Sequence, residues 1–197
     1  MSFVTKRYIA DTHFGHHSII ANCNRPFSSS DEMDEEIVRR WNAVVKSDDD
    51  ITYHLGDWGR PGKDTHAFRR LFHSLRGRKV LIIGNHDERN DGSLVPEIAR
   101  LPWHLPPTHK LEVRDEGRRV ILSHYAMRTW PASHHGSVHF FGHSHGRLPG
   151  YGLSRDVGVD MPDVAFAPRT FKELTLGWDF TAGAAEADVE DAACAFG

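Results

Sequence analysis

Five times along this chain a β-rich run ends directly in histidine, aspartate or asparagine. Arg7-Tyr8-Ile9-Ala10 runs into Asp11-Thr12-His13, and Ile51-Thr52-Tyr53-His54-Leu55 runs into Gly56-Asp57. Lys79-Val80-Leu81-Ile82-Ile83 is followed by Gly84-Asn85-His86-Asp87, and Val120-Ile121-Leu122-Ser123 by His124. Val138-His139-Phe140-Phe141 leads to Gly142-His143-Ser144-His145. Apolar runs bounded by glycine and charge read as buried strands. In parallel α/β sheets ligands gather outside the carboxyl ends of the strands. A fold that honours all five runs therefore brings polar residues distant in sequence to one place.

The segments between the first runs are helical in pattern. Ser28-Ser29-Ser30-Asp31 offers several N-caps, after which Met33, Ile37, Trp41 and Val44-Val45 recur at helical spacing. Residues 64–76 place Phe68, Leu71, Phe72 and Leu75 on one face, with Gly77 as the stop. Strand and helix in alternation predict βαβ units and a largely parallel first sheet. The later runs 109–114, 118–124, 138–142 and 155–159 predict a second, mixed or antiparallel sheet, and a helix over 170–177 closes the order.

Bulk properties narrow the class. A chain of 197 residues with 39% hydrophobic and 26% charged residues suits a globular protein, read as one domain over 1–181. No apolar run is long enough to span a membrane, and the segment MSFVTKRYIADTH lacks a signal-peptide core. Two cysteines without CxxC spacing argue against a disulfide scaffold and for a reducing, cytoplasmic setting. Residues 182–197 are Ala/Gly-rich with four acids and no Lys or Arg, and are expected to be a disordered tail. Without them the chain carries 24 basic against 23 acidic residues, which counts against long nucleic acid as a partner.

Histidine is abundant, 15 of 197 residues, and its placement matters more than its number. Asp11, His13, Asp57, Asn85, His124, His143 and His145 offer imidazole nitrogens, carboxylate oxygens and one amide oxygen. These are too many donors for one metal with an open position, and they fit two metals bridged by a carboxylate. The lack of thiolates among them argues against a zinc-finger site, and the many imidazoles argue against Ca²⁺ or Mg²⁺. Mn²⁺, Fe, Zn²⁺, Co²⁺ or Ni²⁺ suit such mixed ligation. Two of them roughly 3.5–4 Å apart can deprotonate a water and clamp phosphoryl oxygens.

The ordered set DTH, GD, GNHD, a lone His after a strand, and GHSH resembles the calcineurin-like metallophosphoesterases, over roughly residues 7–160. The resemblance implies an α/β (α+β) fold, a four-layer α-β-β-α sandwich of two mixed sheets flanked by helices. It implies that Asp11, His13, Asp57 and His145 hold one metal, and that Asp57, Asn85, His124 and His143 hold the other. Asp57 is then the bridge, with Mn²⁺ the first expectation for the pair. His86 is implied to be catalytic, stabilising charge or protonating the leaving oxygen, with Asp87 behind it and Gly84 turning the backbone. Many relatives carry a further Asp that orients this histidine. Arg60 stands there instead, so something else must hold His86.

The activity so implied is hydrolysis of phosphate esters by a metal-held water, small nucleotide-like phosphodiesters before monoesters. A nuclease or phosphomonoesterase on the same site, and a non-catalytic scaffold, are the alternatives. Access falls to the loops 14–30, 58–64, 88–108 and 125–137. Arg25, Arg60, Arg89 and Arg128 are candidate phosphate contacts there, and Trp58, Trp103 and Trp130 candidate platforms for a base, with plain packing the favoured reading of the three tryptophans. His54 and His139 read as packing residues, Asp156 and Asp160 as turn or supporting residues. His16 or His17 is open to a role at substrate.

Overall fold

The computed structural model describes residues 4–62 and 64–180, and the expected acidic tail at 182–197 lies outside them. In chain order the elements are β1 (Lys6–Ile9), α1 (Ser18–Asn22), α2 (Ser30–Val44), β2 (Ile51–His54), α3 (Thr65–Ser74), β3 (Arg78–Leu81) and α4 (Pro96–Ala99). There follow β4 (Lys110–Asp115), β5 (Arg118–Ser123), a 3₁₀ turn at Ser133–His135, β6 (Val138–Phe141), β7 (Ser154–Asp156), β8 (Arg169–Thr170) and α5 (Phe171–Leu174).

They form two mixed four-stranded sheets flanked by helices, ordered β3-β2-β1-β8 and β4-β5-β6-β7. In the first, β1, β2 and β3 run parallel and only β8 is antiparallel. In the second, β4 pairs antiparallel with β5, whereas β5, β6 and β7 are parallel. The parallel strands β1, β2, β3 and β5 are buried toward their carboxyl ends and β6 along its whole length, as strands covered on both faces tend to be. The sheets meet where Tyr8 of β1 packs edge-on against Phe140 of β6, ring centroids 4.9 Å apart. His139, one residue earlier and so on the opposite face, packs against Trp130 of the 125–137 segment.

Helix α2 is capped by Ser29, whose hydroxyl accepts from the Glu32 amide at 3.1 Å, a contact worth about 1 kcal/mol. It buries Met33, Ile37 and Trp41, and α3 buries Phe68 and Phe72. Two boundaries differ from the sequence reading. The run expected at 155–159 leaves its strand after Asp156, because Gly158 crosses to pair with Ala10 of the other sheet. The helix expected at 170–177 ends at Leu174, with Thr170 spent as its capping residue and Gly177 in the left-handed region.

Candidate metal centre

The ends of β1, β2, β3, β5 and β6 converge, and each brings its polar residues to one edge of the sandwich. Donor atoms of Asp11, His13 and His145 lie within 4.8 Å of one another, as do those of Asp57, His124 and His143. Asp57 reaches toward both sets. Its Oδ2 is 3.4 Å from His13 Nε2, and its Oδ1 is 3.4 Å from His124 Nε2. Asn85 Oδ1 stands 3.1 Å from the same His124 nitrogen. His86 is half-buried, its ring 5.1 Å from that of His13 and 5.6 Å from that of His16. With His13 and Asp57 it makes a third close set of donors.

Backbone strain concentrates here. Asp11, His13, Asp57, His143 and His145 all have positive φ, between 50° and 67°. Each costs on the order of 1 kcal/mol for a residue with a Cβ, and such strain persists only where the surroundings enforce it. The enforcing contacts are visible. Asp87 accepts from the amides of Gly84, Asp57 and Trp58 at 2.8–2.9 Å, tying the loop after β3 to the loop after β2. The Asp11 carboxylate accepts from the His143 amide at 3.0 and 3.1 Å, joining the β1 and β6 loops. Gly84 works differently from the expectation. Its φ is not positive, and what it supplies is a missing side chain, since a Cβ there would strike the Asp57 carboxylate and lie 2.9 Å from the His124 ring.

Several donors are placed so that a cation would satisfy them. His124 Nδ1 is 2.7 Å from the Leu55 carbonyl, which can only accept. In the neutral ring, favoured by burial, Nε2 therefore turns a lone pair toward the Asp57 and Asn85 oxygens. His13 Nε2 is buried without any hydrogen-bond partner. Burial and the neighbouring Asp57 and Asp156 carboxylates hold the Asp11 carboxyl well above the ordinary range. Converging lone pairs, an orphaned imidazole nitrogen and crowded buried acids fit resident divalent ions.

Behind these residues lies a supporting layer, in which Asp160 has the supporting role the sequence suggested and Arg25 a role it did not. His145 Nδ1 donates to Asp160 Oδ2 at 2.7 Å, which aims its other nitrogen into the centre. Asp160 in turn receives a two-pronged bond from Arg25 at 2.8 Å per contact, and these bonds outweigh burial to hold its carboxyl below the usual range. Arg25 also donates to the carbonyls of Asp11 and Thr12. It is buried and fully engaged, so it is not the phosphate contact expected of it.

Two of the candidate aromatic platforms are packing residues, the reading the sequence favoured for them. Trp58 has no exposed surface and packs among Phe14, Trp41, Phe72 and Trp103. Trp130 is 7% exposed and donates to the Ser137 carbonyl. Trp103, half-buried, packs on the same cluster as Trp58 and donates to Ile98. The exposed aromatic at the centre is Tyr125, its ring 4.5 Å from that of His143. Arg128 lies over Tyr151 at 4.1 Å, and Arg60 and Arg89 are exposed.

The architecture is thus an α/β double-sheet sandwich with an acid- and histidine-rich centre at the strand ends. Among solved structures, the protein of unknown function AQ665 from Aquifex aeolicus shares this fold. It aligns with a TM-score of 0.62 and 23% identity, over 87% of this chain and 98% of that one. YfcE, a phosphoesterase from E. coli, overlays with a TM-score of only 0.40 at 17% identity, over 79% of this chain and 78% of its own. An uncharacterised protein of Methanocaldococcus jannaschii, MJ1445, is 46% identical over 80 residues, 41% of this chain. That match spans 45% of the relative's own length. No family model matches the chain. Among the described residues, no helix is long and apolar enough to cross a membrane.

Proposed function

We propose that the chain is a metal-dependent phosphoesterase of the calcineurin-like metallophosphoesterase family, acting on small phosphodiesters. The observation that carries this reading is the Asp57 carboxylate, which offers one oxygen to each of two donor sets. Asp11, His13, Asp57 and His145 would hold one ion, and Asp57, Asn85, His124 and His143 the other. Mn²⁺ is our first assignment among the ions that mixed nitrogen and oxygen donors accept. Two divalent ions there would supply Lewis acidity at the phosphoryl group and an activated water near neutral pH.

The chain's own residues supply the rest. His86, half-exposed and beside His13, is placed to give a proton to the leaving oxygen, and its amide is fixed by Asp57 Oδ1 at 2.9 Å. The rings of His13 and His16 bracket it where relatives use a carboxylate. A diester leaves as a poor alkoxide, which is where such a donor helps most. A monoester dianion needs further positive charge on its third oxygen. Arg25 is withdrawn from that duty, and Arg128 is drawn onto Tyr151.

The test pairs metal content with kcat/KM for matched aryl phosphodiester and monoester substrates in Mn²⁺. Two bound ions and a diester preference are expected. A clear monoester preference overturns the substrate assignment, and absence of both metal and turnover overturns the enzyme.

A further inference from the structure

We infer that His16 is a positioning residue, holding the His13 ring through its Nδ1 in the one tautomer that leaves Nε2 free for a metal ion. The inference rests on the dinuclear reading above and assigns a task to a residue outside both donor sets. His16 is 8% exposed and His13 1%. Their Nδ1 atoms are 3.2 Å apart, and His16 Nε2 is 2.9 Å from Ser18 Oγ. His13 Nε2, on the far side of its ring, is the buried nitrogen without a hydrogen-bond partner that faces Asp57.

Between two facing imidazole nitrogens one must carry the hydrogen and the other the lone pair. If His16 were the donor, neutral His13 would carry its proton on Nε2 and close that atom to a metal. If His13 is the donor, its Nε2 lone pair points among Asp11, Asp57 and His145. His16 then carries its own proton on Nε2, where the Ser18 hydroxyl can accept it. The bonds therefore run in one direction, from His13 to His16 to Ser18.

Two of the other rings are held more rigidly. His124 leans on the Leu55 carbonyl and His145 on the Asp160 carboxylate. A carbonyl only accepts, and an ionised carboxylate likewise, so each fixes its tautomer outright. His13 depends on a partner that can either give or accept. That makes the ion held by Asp11, His13 and His145 the one sensitive to residue 16, and leaves its neighbour indifferent.

Zn²⁺, which is diamagnetic, serves as the probe in calorimetric titration and in NMR of ¹⁵N-histidine protein. The wild type is expected to take up two ions and, when loaded, to carry the His13 hydrogen on Nδ1. His16→Leu should weaken one of the two ions by about 10- to 100-fold and leave the other unchanged. His16→Asn, whose Oδ1 stands where Nδ1 stood, should restore most of the loss, which a merely space-filling role would not predict. Loading of both ions in His16→Leu with wild-type affinity, or a loaded wild type with the His13 hydrogen on Nε2, overturns the inference. The wild-type spectrum decides the matter even where the leucine variant fails to fold. A wild type that binds fewer than two ions instead removes the dinuclear reading, and this inference with it.

Discussion

Asp57 stands between His13 and His124, one carboxylate oxygen 3.4 Å from each imidazole. A single side chain so placed belongs to both halves of the centre. Asp57→Asn replaces one of its oxygens with an amide nitrogen, which cannot ligate as a carboxylate does. The variant should lose occupancy at both sites together, along with nearly all turnover. Elemental analysis decides it, and two full metal equivalents in Asp57→Asn would refute the bridge.

His86 makes a separable prediction. Placed beside the centre and assigned to proton donation, it can be removed without emptying the metal sites. His86→Asn should keep two ions while kcat falls roughly 10²–10⁴-fold, the usual loss for a positioned acid or charge stabiliser. Because His86 also lies within reach of His13 and Asp57, loss of one ion in this variant would make it a ligand instead.

Gly84 is predicted to be sensitive for its lack of bulk. A Cβ there would lie 2.5 Å from the Asp57 amide nitrogen as well as on its carboxylate. Gly84→Ala should lower stability by about 1–3 kcal/mol and weaken metal binding, as overpacking of a tight site does. Gly62, with open space around its missing Cβ, supplies the control. Equal melting temperatures and metal contents for the two alanine variants would contradict the steric account.

Lys79 gives a pH dependence away from the centre. Its ammonium is buried, donates to the Leu75 carbonyl at 2.6 Å and lies 4.5 Å from the Phe72 ring centroid. Burial lowers its pKa to about 8 from 10.5. Between those values the unfolded chain binds more protons than the folded one, so this group's contribution to stability rises with pH. Below pH 8 both states are charged and the full cost of burial applies. Lys79→Met should therefore gain most over the wild type near pH 7. That advantage should shrink by on the order of 2 kcal/mol by pH 10. Urea titrations at both pH values would measure it, and a constant difference would count against a buried charge.

The strands and their polar ends were legible in the sequence because burial selects aliphatic runs and chemistry selects the residues that interrupt them. Val80, Leu81 and Ile82 are buried although β3 stands at the edge of its sheet, and Asn85 and His86 emerge from its end. What sequence could not show depends on tertiary contacts. Trp58 follows a ligand candidate in a loop, yet Asp87 draws its amide inward and five aromatic rings, that of His54 included, surround it. Arg25 reads as a surface cation until Asp160, far along the chain, is seen to hold it. Histidine enters the left-handed region more readily than most residues, but residue type does not say which of the 15 histidines do so, and His13 and His145 are known only from the structure.

Arg25 has a bearing on the order in which the molecule comes together. Its guanidinium clasps the Asp11 and Thr12 carbonyls from the first strand's loop and the Asp160 carboxylate from the loop after β7. A ribosome delivers the first of these long before the last. Until residue 160 has emerged, Arg25 has no counterion and His145 no acceptor, and Asp11 and His13 wait beside an incomplete neighbour. The centre therefore gains its last support only after every proposed donor, from Asp11 to His145, has been made.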